Sequence, residues 1–318
     1  RRRQAAHPSV SSRQGRTRRP RLRSRPAVHP SAASPQEVTM AIIIHFILAL
    51  APAASEFEAW LAAHPRHYAS NASEARLRES YFARNVRDIR AMAEANPYAS
   101  FEPGEEADAS PEELDRMFGG GDFVRDYEEQ ELFSEGSVRA AVAAGDVDWV
   151  QRGAVNEPVS QGRCATCASF SAVADIEAQW FLAGNPLTKL SEQELIDCAS
   201  YTGPYGMGWV SKVHKGIATS RDYPLANHSD PTLAGCRSHC NTTRAAKLDA
   251  FISGATCLPE QHHDNETQML AWLEHGPLSV SIAGGPLNGY RGGVITKCDN
   301  RRINHAVLIV GRGTYPDS

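Results

Sequence analysis

The 318-residue sequence lacks an apolar run long enough to cross a membrane. Its most apolar stretch, residues 41–50, is about half the roughly 20 residues that a spanning helix needs. With 42% hydrophobic and 22% charged residues, the composition is that of a globular protein. A multispanning membrane protein and a wholly disordered chain are therefore excluded, and we expect no stable membrane span.

Net positive charge is missing from most of the chain. Residues 1–39 hold ten arginines and one acid, a local charge of +9, so the overall charge of −4 leaves −13 for the rest. A nucleic-acid binder carries its basic charge on the folded part. We therefore expect no nucleic-acid partner, and we interpret residues 1–39 as a basic low-complexity leader without an assigned function.

A secretion signal is indicated near the N-terminus. Met40 precedes the apolar residues 41–50, and small residues follow at 51–55, as in a signal peptide with its cleavage site. A buried helix is the alternative. N-glycosylation triplets agree with secretion and begin at Asn71, Asn227, Asn241 and Asn265. Residues 40–55 thus predict entry into the secretory pathway, with a lysosomal, vacuolar or extracellular destination.

The seven cysteines are an odd number, so at least one is unpaired within the chain. In a secreted protein the others can form disulfides. A metal could in principle bind the pairs Cys164-x2-Cys167 and Cys236-x3-Cys240, but the two pairs lie too far apart in the sequence for a compact zinc module. We expect no metal and no cofactor.

The order of elements along the chain indicates an α+β protein with two lobes. Residues 57–95 have the apolar spacing of two helices, and residues 102–135 are an acidic loop or linker with thirteen Asp/Glu. From Asp148 onward, helices come first and strands later, which is typical of the α+β class.

Individual elements of this second part are also predicted. Helical spacing covers Cys167 to Leu182, and Ser191 with Glu194 forms a capping box at another helix start. A third helix covers residues 266–275, with Asn265 as its cap. Beyond it, residues 278–282 alternate as a strand, and residues 306–310 are a continuous apolar run typical of a buried strand.

Cys167 is a candidate nucleophile because a glycine turn leads into a helix at this residue. The free N–H groups of a helix start favour a thiolate. Lowering a thiol pKa from about 8.5 to below 7 requires roughly 2 kcal/mol, whereas a helix terminus supplies about 0.3–1 kcal/mol. A nearby imidazolium is therefore required; without one, Cys167 is an ordinary buried thiol.

His305 is the candidate partner among the twelve histidines because it precedes the apolar run 306–310, where a strand would hold its ring in place. Eight of the other histidines lie in the tail, in the leader, in the first helical region or around a surface helix. Taken alone, His305 is more typical of a histidine at the edge of a core, since single motif matches are weak.

Several motifs together resemble the papain-like cysteine proteases, specifically a cathepsin-type zymogen. They are QGRCATCASF (161–170), LSEQELIDC (190–198), YRGGV (290–294) and NHAVLIVG (304–311). Five positions also match the inhibitory propeptide pattern of the family, with Ala93 replacing an Asn at the sixth; the five are Glu74, Arg78, Phe82, Asn85 and Ile89. Of a second propeptide motif only Asp108 survives.

The resemblance implies a two-lobe α+β fold, with a helical lobe, a β-barrel-like lobe and an α-helical prodomain. The prodomain would be residues 56–135 and the peptidase domain residues 136–318. Cys167 matches the nucleophile, His305 the base, and Gln161 the side chain that holds the oxyanion together with the Cys167 N–H. Substrates would be proteins or peptides, the prosegment would inhibit its own chain, and the protein would be a monomer.

The resemblance also implies a disulfide between Cys198 and Cys236. Pro204 stands where the usual partner of Cys164 is found in the family. Cys240 is therefore a substitute partner for Cys164 or for Cys198.

Other departures leave an alternative open. Ala168 and Ala165 replace a Trp and a Gly, and only 13 residues, none of them Asn, follow His305. We therefore expect an incomplete copy of a zymogen in which a third catalytic residue, an Asn, lies beyond residue 318. The alternative is an inactive homologue, or a protease inhibitor acting through residues 57–110.

The acidic segment adds an expectation about pH. If the carboxylates of residues 102–135 are stabilised in their ionised form, their pKa values are lowered in the folded precursor. Their contribution to stability is then lost as the pH falls, so acid would loosen the prosegment and trigger maturation.

Overall fold

The computed structural model describes residues 55–118, 128–129, 132–199, 210, 216–226, 236, 240, 256–257, 265–298 and 303–314. They belong to one compact unit that begins at Ser55. The expected leader and nearly all of the expected signal peptide lie outside the described residues, as does the loop that contains Pro204. No helix in these ranges combines the length and apolarity needed to cross a membrane.

Most of the α-helices begin at polar caps, and the caps predicted at Ser191 and Asn265 are among them. The α-helices of the described residues are α1 Glu56–Ala63, α2 Ala72–Ala95, α3 Pro111–Met117, α4 Glu135–Ala143, α5 Cys167–Leu182, α6 Glu192–Cys198 and α7 Glu266–Leu273. Short 3₁₀ helices cover His67–Ser70 and Gly285–Leu287. Side-chain caps at most of the α-helix starts accept hydrogen bonds from free backbone N–H groups: Ser55, Asn71, Ser110, Ser134, Ser191 and Asn265.

The strands of the described residues pair two by two. They are β1 Ala99–Phe101, β2 Glu128–Glu129, β3 Val147–Asp148, β4 Thr256–Cys257, β5 Leu278–Ile282, β6 Tyr290–Gly293, β7 His305–Ile309 and β8 Gly311–Arg312. The antiparallel pairs are β1–β6, β3–β8 and β5–β7, whereas β2–β4 is parallel. The α+β class is confirmed, but within these ranges the strands do not close into a barrel.

Apolar clusters hold three regions together. One of them joins α5 to α6 and includes Val173, Ile176, Leu190 and Leu195. A second fills the N-terminal region around Phe57, Trp60, Tyr68, Phe82 and Val86. The third surrounds Trp149, whose indole N–H donates to the Leu273 carbonyl at 2.8 Å. The first and third clusters support the two elements that carry the candidate site.

Three local predictions have different outcomes. The helix from Cys167 to Leu182 is confirmed residue for residue. The capping box at Ser191 is only half formed, because the Glu194 carboxylate accepts from the Ala218 N–H at 2.6 Å instead of from Ser191. β7 is half-buried along its whole length rather than fully buried.

The disulfide expected between Cys198 and Cys236 is wrong. Cys164 pairs with Cys236 at a Cα–Cα distance of 5.7 Å, and Cys198 pairs with Cys240 at 4.7 Å. Both distances are within the range that a disulfide bridges. The Gln193 amide donates to the Cys236 carbonyl at 3.2 Å and fixes this residue beside α6. Cys236 is thus the partner of Cys164, and Cys240 is the partner of Cys198.

Candidate active site

Cys167 is the first residue of α5 and lies buried as a free thiol. The backbone N–H groups of Ala306, Ala168 and Cys167 itself face its sulfur and act to lower the pKa of the thiol. Two of these belong to the helix start, where N–H groups have no partner within the helix. The third comes from β7, so the sulfur lies where the helix start meets the strand.

His305 is the first residue of β7, directly before the residue that contacts the Cys167 sulfur. The strand is held by its register with β5, in which His305 faces Ile282. Nδ1 of the ring is buried and has no hydrogen-bond partner among the described residues. An acceptor or donor entering this site would therefore find an imidazole nitrogen available.

Ser171 links the two elements that carry Cys167 and His305. One turn after Cys167 on α5, its hydroxyl contacts the Ser279 hydroxyl at 2.6 Å and donates to the Val307 carbonyl at 2.7 Å. Ser279 belongs to β5 and Val307 to β7. This side chain therefore fixes the helix against both strands, and with them the relative position of the thiol and the imidazole.

Gln161 lies on the loop before α5. Its side-chain N–H₂ donates to the Cys164 carbonyl and to the Met117 carbonyl, both at 2.7 Å. Met117 belongs to α3, more than forty residues earlier in the chain. The amide that is expected to hold an oxyanion thus holds a main-chain carbonyl of the N-terminal segment, which we define as residues 55–118.

Burial acts on both candidate groups in the direction of neutrality. It raises the pKa of the Cys167 thiol despite the three N–H groups, and it lowers the pKa of His305. The charged forms are disfavoured because both groups are withdrawn from water. In this form burial therefore favours the neutral thiol and the neutral imidazole over the charged pair.

The end of the N-terminal segment covers the site. The Phe118 ring packs edge-to-face on the His305 imidazole at 5.5 Å between centroids. Gly284 makes room for it, because a Cβ there would lie 2.6 Å from the Phe118 ring and 2.9 Å from the His305 Cβ. Asn304 donates to the Asp115 carboxylate at 3.5 Å. Met117 and Phe118 therefore occupy the space in front of Gln161 and His305.

A second contact anchors the same segment farther along the chain. β1 adds to β6 as an antiparallel partner, and Gly293 has a φ of +92° in a place where a Cβ would lie 2.1 Å from the Tyr98 carbonyl. The Asn96 side chain accepts from the Thr296 and Lys297 N–H groups at 2.9 and 2.7 Å. Glycine at 293 is therefore required for the segment to approach this closely.

A charged cluster forms the third contact. Asp108 is fully buried and accepts from Tyr68 at 2.5 Å, from Arg66 at 3.2 Å and from Arg163. Burial opposes its ionisation, but the Tyr68 hydrogen bond and the arginine charges outweigh burial and lower its pKa. Glu113 behaves likewise: burial opposes ionisation, and its ion pair with Arg78 outweighs this effect.

The structure therefore brings Cys167, His305 and Gln161 to one place, and it adds residues that sequence reasoning missed. Ser171, Gly284 and Phe118 had no signal in the sequence, because each acts through a contact with a distant element. Arg163 carried a weak signal as a cation between Gln161 and Cys167. Among the described residues no group of three potential ligands is placed to hold a metal ion. Each disulfide also contains at least one cysteine of the two pairs considered as metal ligands.

Comparison with known proteins agrees with this arrangement. Residues 143–317 match the family model described as papain family cysteine protease. Cysteine proteinase 1 of Leishmania pifanoi is 31% identical over 262 residues, which is 78% of this chain and 70% of that protein. The cysteine proteinase of Trypanosoma brucei brucei is 30% identical over 250 residues, 76% of this chain but 53% of its own length. The chain thus spans little more than half of some of the relatives it matches.

Solved precursors share the fold. The recombinant stem bromelain precursor superimposes with a TM-score of 0.68 at 24% identity, covering 82% of each chain. Digestive procathepsin L 3 of the Tenebrio molitor larval midgut gives a TM-score of 0.63 at 25% identity, covering 83% of this chain and 86% of that one. The thiol at a helix start, the histidine at a strand start and these matches have one explanation: the chain belongs to the papain family of cysteine proteases.

Proposed function

We propose that the chain is the precursor of a cysteine endopeptidase and that the N-terminal segment is its inhibitory prosegment. The observation that carries the proposal is the Met117 carbonyl, which accepts from the Gln161 amide at 2.7 Å. A peptide substrate would present its scissile carbonyl to the same donor. The segment thus occupies the substrate's place without being cut.

The proposed reaction uses three side chains and one backbone N–H group. His305 takes the proton of the Cys167 thiol, and the thiolate attacks the carbonyl carbon of the peptide. Gln161 and the Cys167 N–H stabilise the oxyanion that forms. The amine leaves with a proton from His305, and a thioester remains on Cys167. Water then hydrolyses the thioester, which restores the thiol and releases the acid.

Removal of the segment would also change the electrostatics. Phe118 packs on the His305 imidazole, and burial favours the neutral forms of both His305 and Cys167. Without Phe118 on the imidazole, water reaches the pair, and the thiolate–imidazolium form becomes accessible. The prosegment would therefore inhibit by occupation and by desolvation together.

The two disulfides support a secreted protein, since disulfides persist in oxidising compartments. We propose passage through the secretory pathway to a lysosome, a vacuole or the outside of the cell.

Labelling with a thiol-directed epoxide tests the proposal, because the described residues contain two free cysteines of different exposure. In the precursor the buried Cys167 should stay unlabelled while the exposed Cys298 reacts with a general thiol reagent. After acid treatment the epoxide should label Cys167, and a fluorogenic peptide should be cleaved. Cys167→Ala should abolish cleavage, whereas the matched variant Cys298→Ala should retain it.

Two further outcomes bear on the proposal. Gln161→Ala should lower kcat by about 10²-fold or more, as the loss of an oxyanion donor does. A processed chain whose Cys167 stays unlabelled and which cleaves no peptide would overturn the proposal in favour of an inactive homologue.

A further inference from the structure

The loop from Gln161 to Cys167 contains one charged side chain, that of Arg163. It lies two residues after Gln161 and four residues before Cys167. Its guanidinium donates to the Asp108 carboxylate and, at 3.1 Å, to the Glu105 carbonyl. Both partners belong to the N-terminal segment. Within the part of the chain that the structure describes, the side-chain hydrogen bonds of Arg163 are thus all made to the segment that the proposed maturation removes.

This guanidinium lies close to the place where we expect a substrate to bind. It lines a small cavity together with Glu113, Arg116 and Met117, and the carbonyl of Met117 is the one bound by Gln161. Its charge also contributes to the lowered pKa of Glu113. In this form only 16% of the Arg163 side chain is exposed. Release of the segment therefore uncovers an arginine that has lost its carboxylate beside the place where a substrate would lie.

We propose that Arg163 makes the mature protease select peptides with an acidic side chain near the scissile bond. This inference rests on the proposed peptidase function and goes beyond it by naming a substrate class. A guanidinium presents donors that match a carboxylate in two-point geometry. Asp108 is the carboxylate that occupies this position in the precursor, and an Asp or Glu of the substrate would replace it.

The net charge of the chain sharpens the expectation. The proposed peptidase domain, residues 136–318, holds 15 Lys/Arg and 17 Asp/Glu, a net charge of −2, so no general electrostatic effect attracts acidic peptides. A higher kcat/KM for Glu than for Gln at one substrate position, with an equal or lower value at the other positions, would thus identify a local cation.

The experiment compares peptide pairs that differ only by Glu or Gln, with the change moved through three positions on each side of the cleaved bond. The full chain is activated by acid, and active molecules are counted by epoxide labelling of Cys167. We expect kcat/KM for Glu to exceed that for Gln about two- to fivefold at one position or at two neighbouring positions, the range of a partly exposed ion pair. The gain should appear in KM rather than in kcat, and it should shrink at high salt.

Variants then assign the effect. Arg163→Gln should bring the ratio to 1 or below, and Arg163→Lys should retain part of it. Arg221→Gln removes the same charge from a side chain that is 88% exposed and pairs with its neighbour Asp222, so it should keep the wild-type ratio. If Arg163→Gln does not fold, the salt dependence of the unaltered protein decides in its place.

The possible failures are distinguishable. Efficient cleavage of the Gln peptides with no Glu preference at any position, or an unchanged preference in Arg163→Gln, overturns the inference and leaves the peptidase function intact. Absence of cleavage of every peptide, together with an unlabelled Cys167, overturns both.

Discussion

Buried acids in the N-terminal segment and buried acids in α5 respond to pH in opposite directions. In the segment, the buried Asp108 and the half-buried Glu113 lie beside arginines, and these partners lower their pKa values. In α5, burial raises the pKa of Asp175 to about 6 and also raises that of Glu177, although Lys189 lies 3.1 Å from the latter. One region is stabilised by ionised carboxylates, whereas the other is stabilised by protonated ones.

The difference predicts an order of events on acidification. Asp175 gives stability that is full below its ordinary pKa and lost as the pH rises through about 6. Asp108 and Glu113 give stability that is full above their ordinary pKa values of about 4 and lost as the pH falls through their lowered values. Acid should therefore strengthen the α5 region first and release the segment only below about pH 4.

Removing the Asp108 carboxylate should have the largest effect. Asp108→Ala leaves Arg66, Tyr68 and Arg163 without their shared acceptor, and breaking such a buried pair costs about 3–5 kcal/mol. We expect denaturant unfolding in a Cys167→Ala background to show this loss, and early labelling of Cys167 in the otherwise unaltered precursor. Above pH 4 the loss should be nearly constant, and it should shrink toward pH 2.

The exposed Glu79 on the same segment provides the matched control, since Glu79→Ala should change neither measurement. A precursor carrying Asp108→Ala that unfolds like the wild type and keeps Cys167 unlabelled would contradict the comparison.

Filling the space at Gly284 tests the cover over His305. Gly284→Ala adds a methyl group 2.6 Å from the Phe118 ring, and such overpacking costs about 1–3 kcal/mol. Acid maturation should become faster because Phe118 is displaced. Gly136→Ala is the control, since its nearest neighbour would be the Ser134 hydroxyl at 3.8 Å. Adding Phe118→Ala should relieve the strain, so additive effects in the double variant would rule out the contact.

The variant Asp175→Asn tests whether α5 is stabilised by a protonated carboxyl group. The amide cannot ionise, so the variant should be more stable than the wild type by about 1–2 kcal/mol at pH 7.5 and equally stable at pH 4. Thermal unfolding of the Cys167→Ala chain at both pH values measures this difference. Asp88→Asn changes an exposed aspartate and should have no such pH-dependent effect. A gain that is the same at both pH values would argue against a raised pKa.

The smallest expected effect on stability belongs to Ser171. Ser171→Ala removes the hydroxyl that contacts Ser279 and Val307, at a cost of about 1 kcal/mol. Activity should fall more than stability does, because α5 loses its register against the strand that begins with His305. Ser279→Ala leaves the bond to Val307 in place and should cost less activity. Equal losses of activity in the two variants would contradict this positioning role.

Local patterns made much of the fold predictable from sequence. The apolar spacing of α5, the Asn265 cap of α7 and the alternation of β5 each depend on neighbours within one element. Contacts between distant residues were not predictable in this way. The Glu194 carboxylate turns to Ala218 because a buried N–H there needs an acceptor, and no local pattern reveals that demand.

The site shows the same division. Cys167, His305 and Gln161 could be chosen from motifs because each motif is continuous in the chain. The Met117 carbonyl on Gln161 and the Arg163 pair with Asp108 join residues separated by 44 and 55 positions, and only folding brings them together. The disulfide partners failed for that reason: spacing gives the order of cysteines, whereas pairing depends on which of them meet.

The interleaved order of the two disulfides has a consequence for proteolysis of this chain. Cys198 lies inside the loop closed by Cys164 and Cys236, and Cys236 lies inside the loop closed by Cys198 and Cys240. A single cut anywhere between Cys164 and Cys240 therefore leaves the two pieces covalently joined by at least one bridge. A nicked molecule would migrate as two fragments only after reduction, and until then it would remain one molecule.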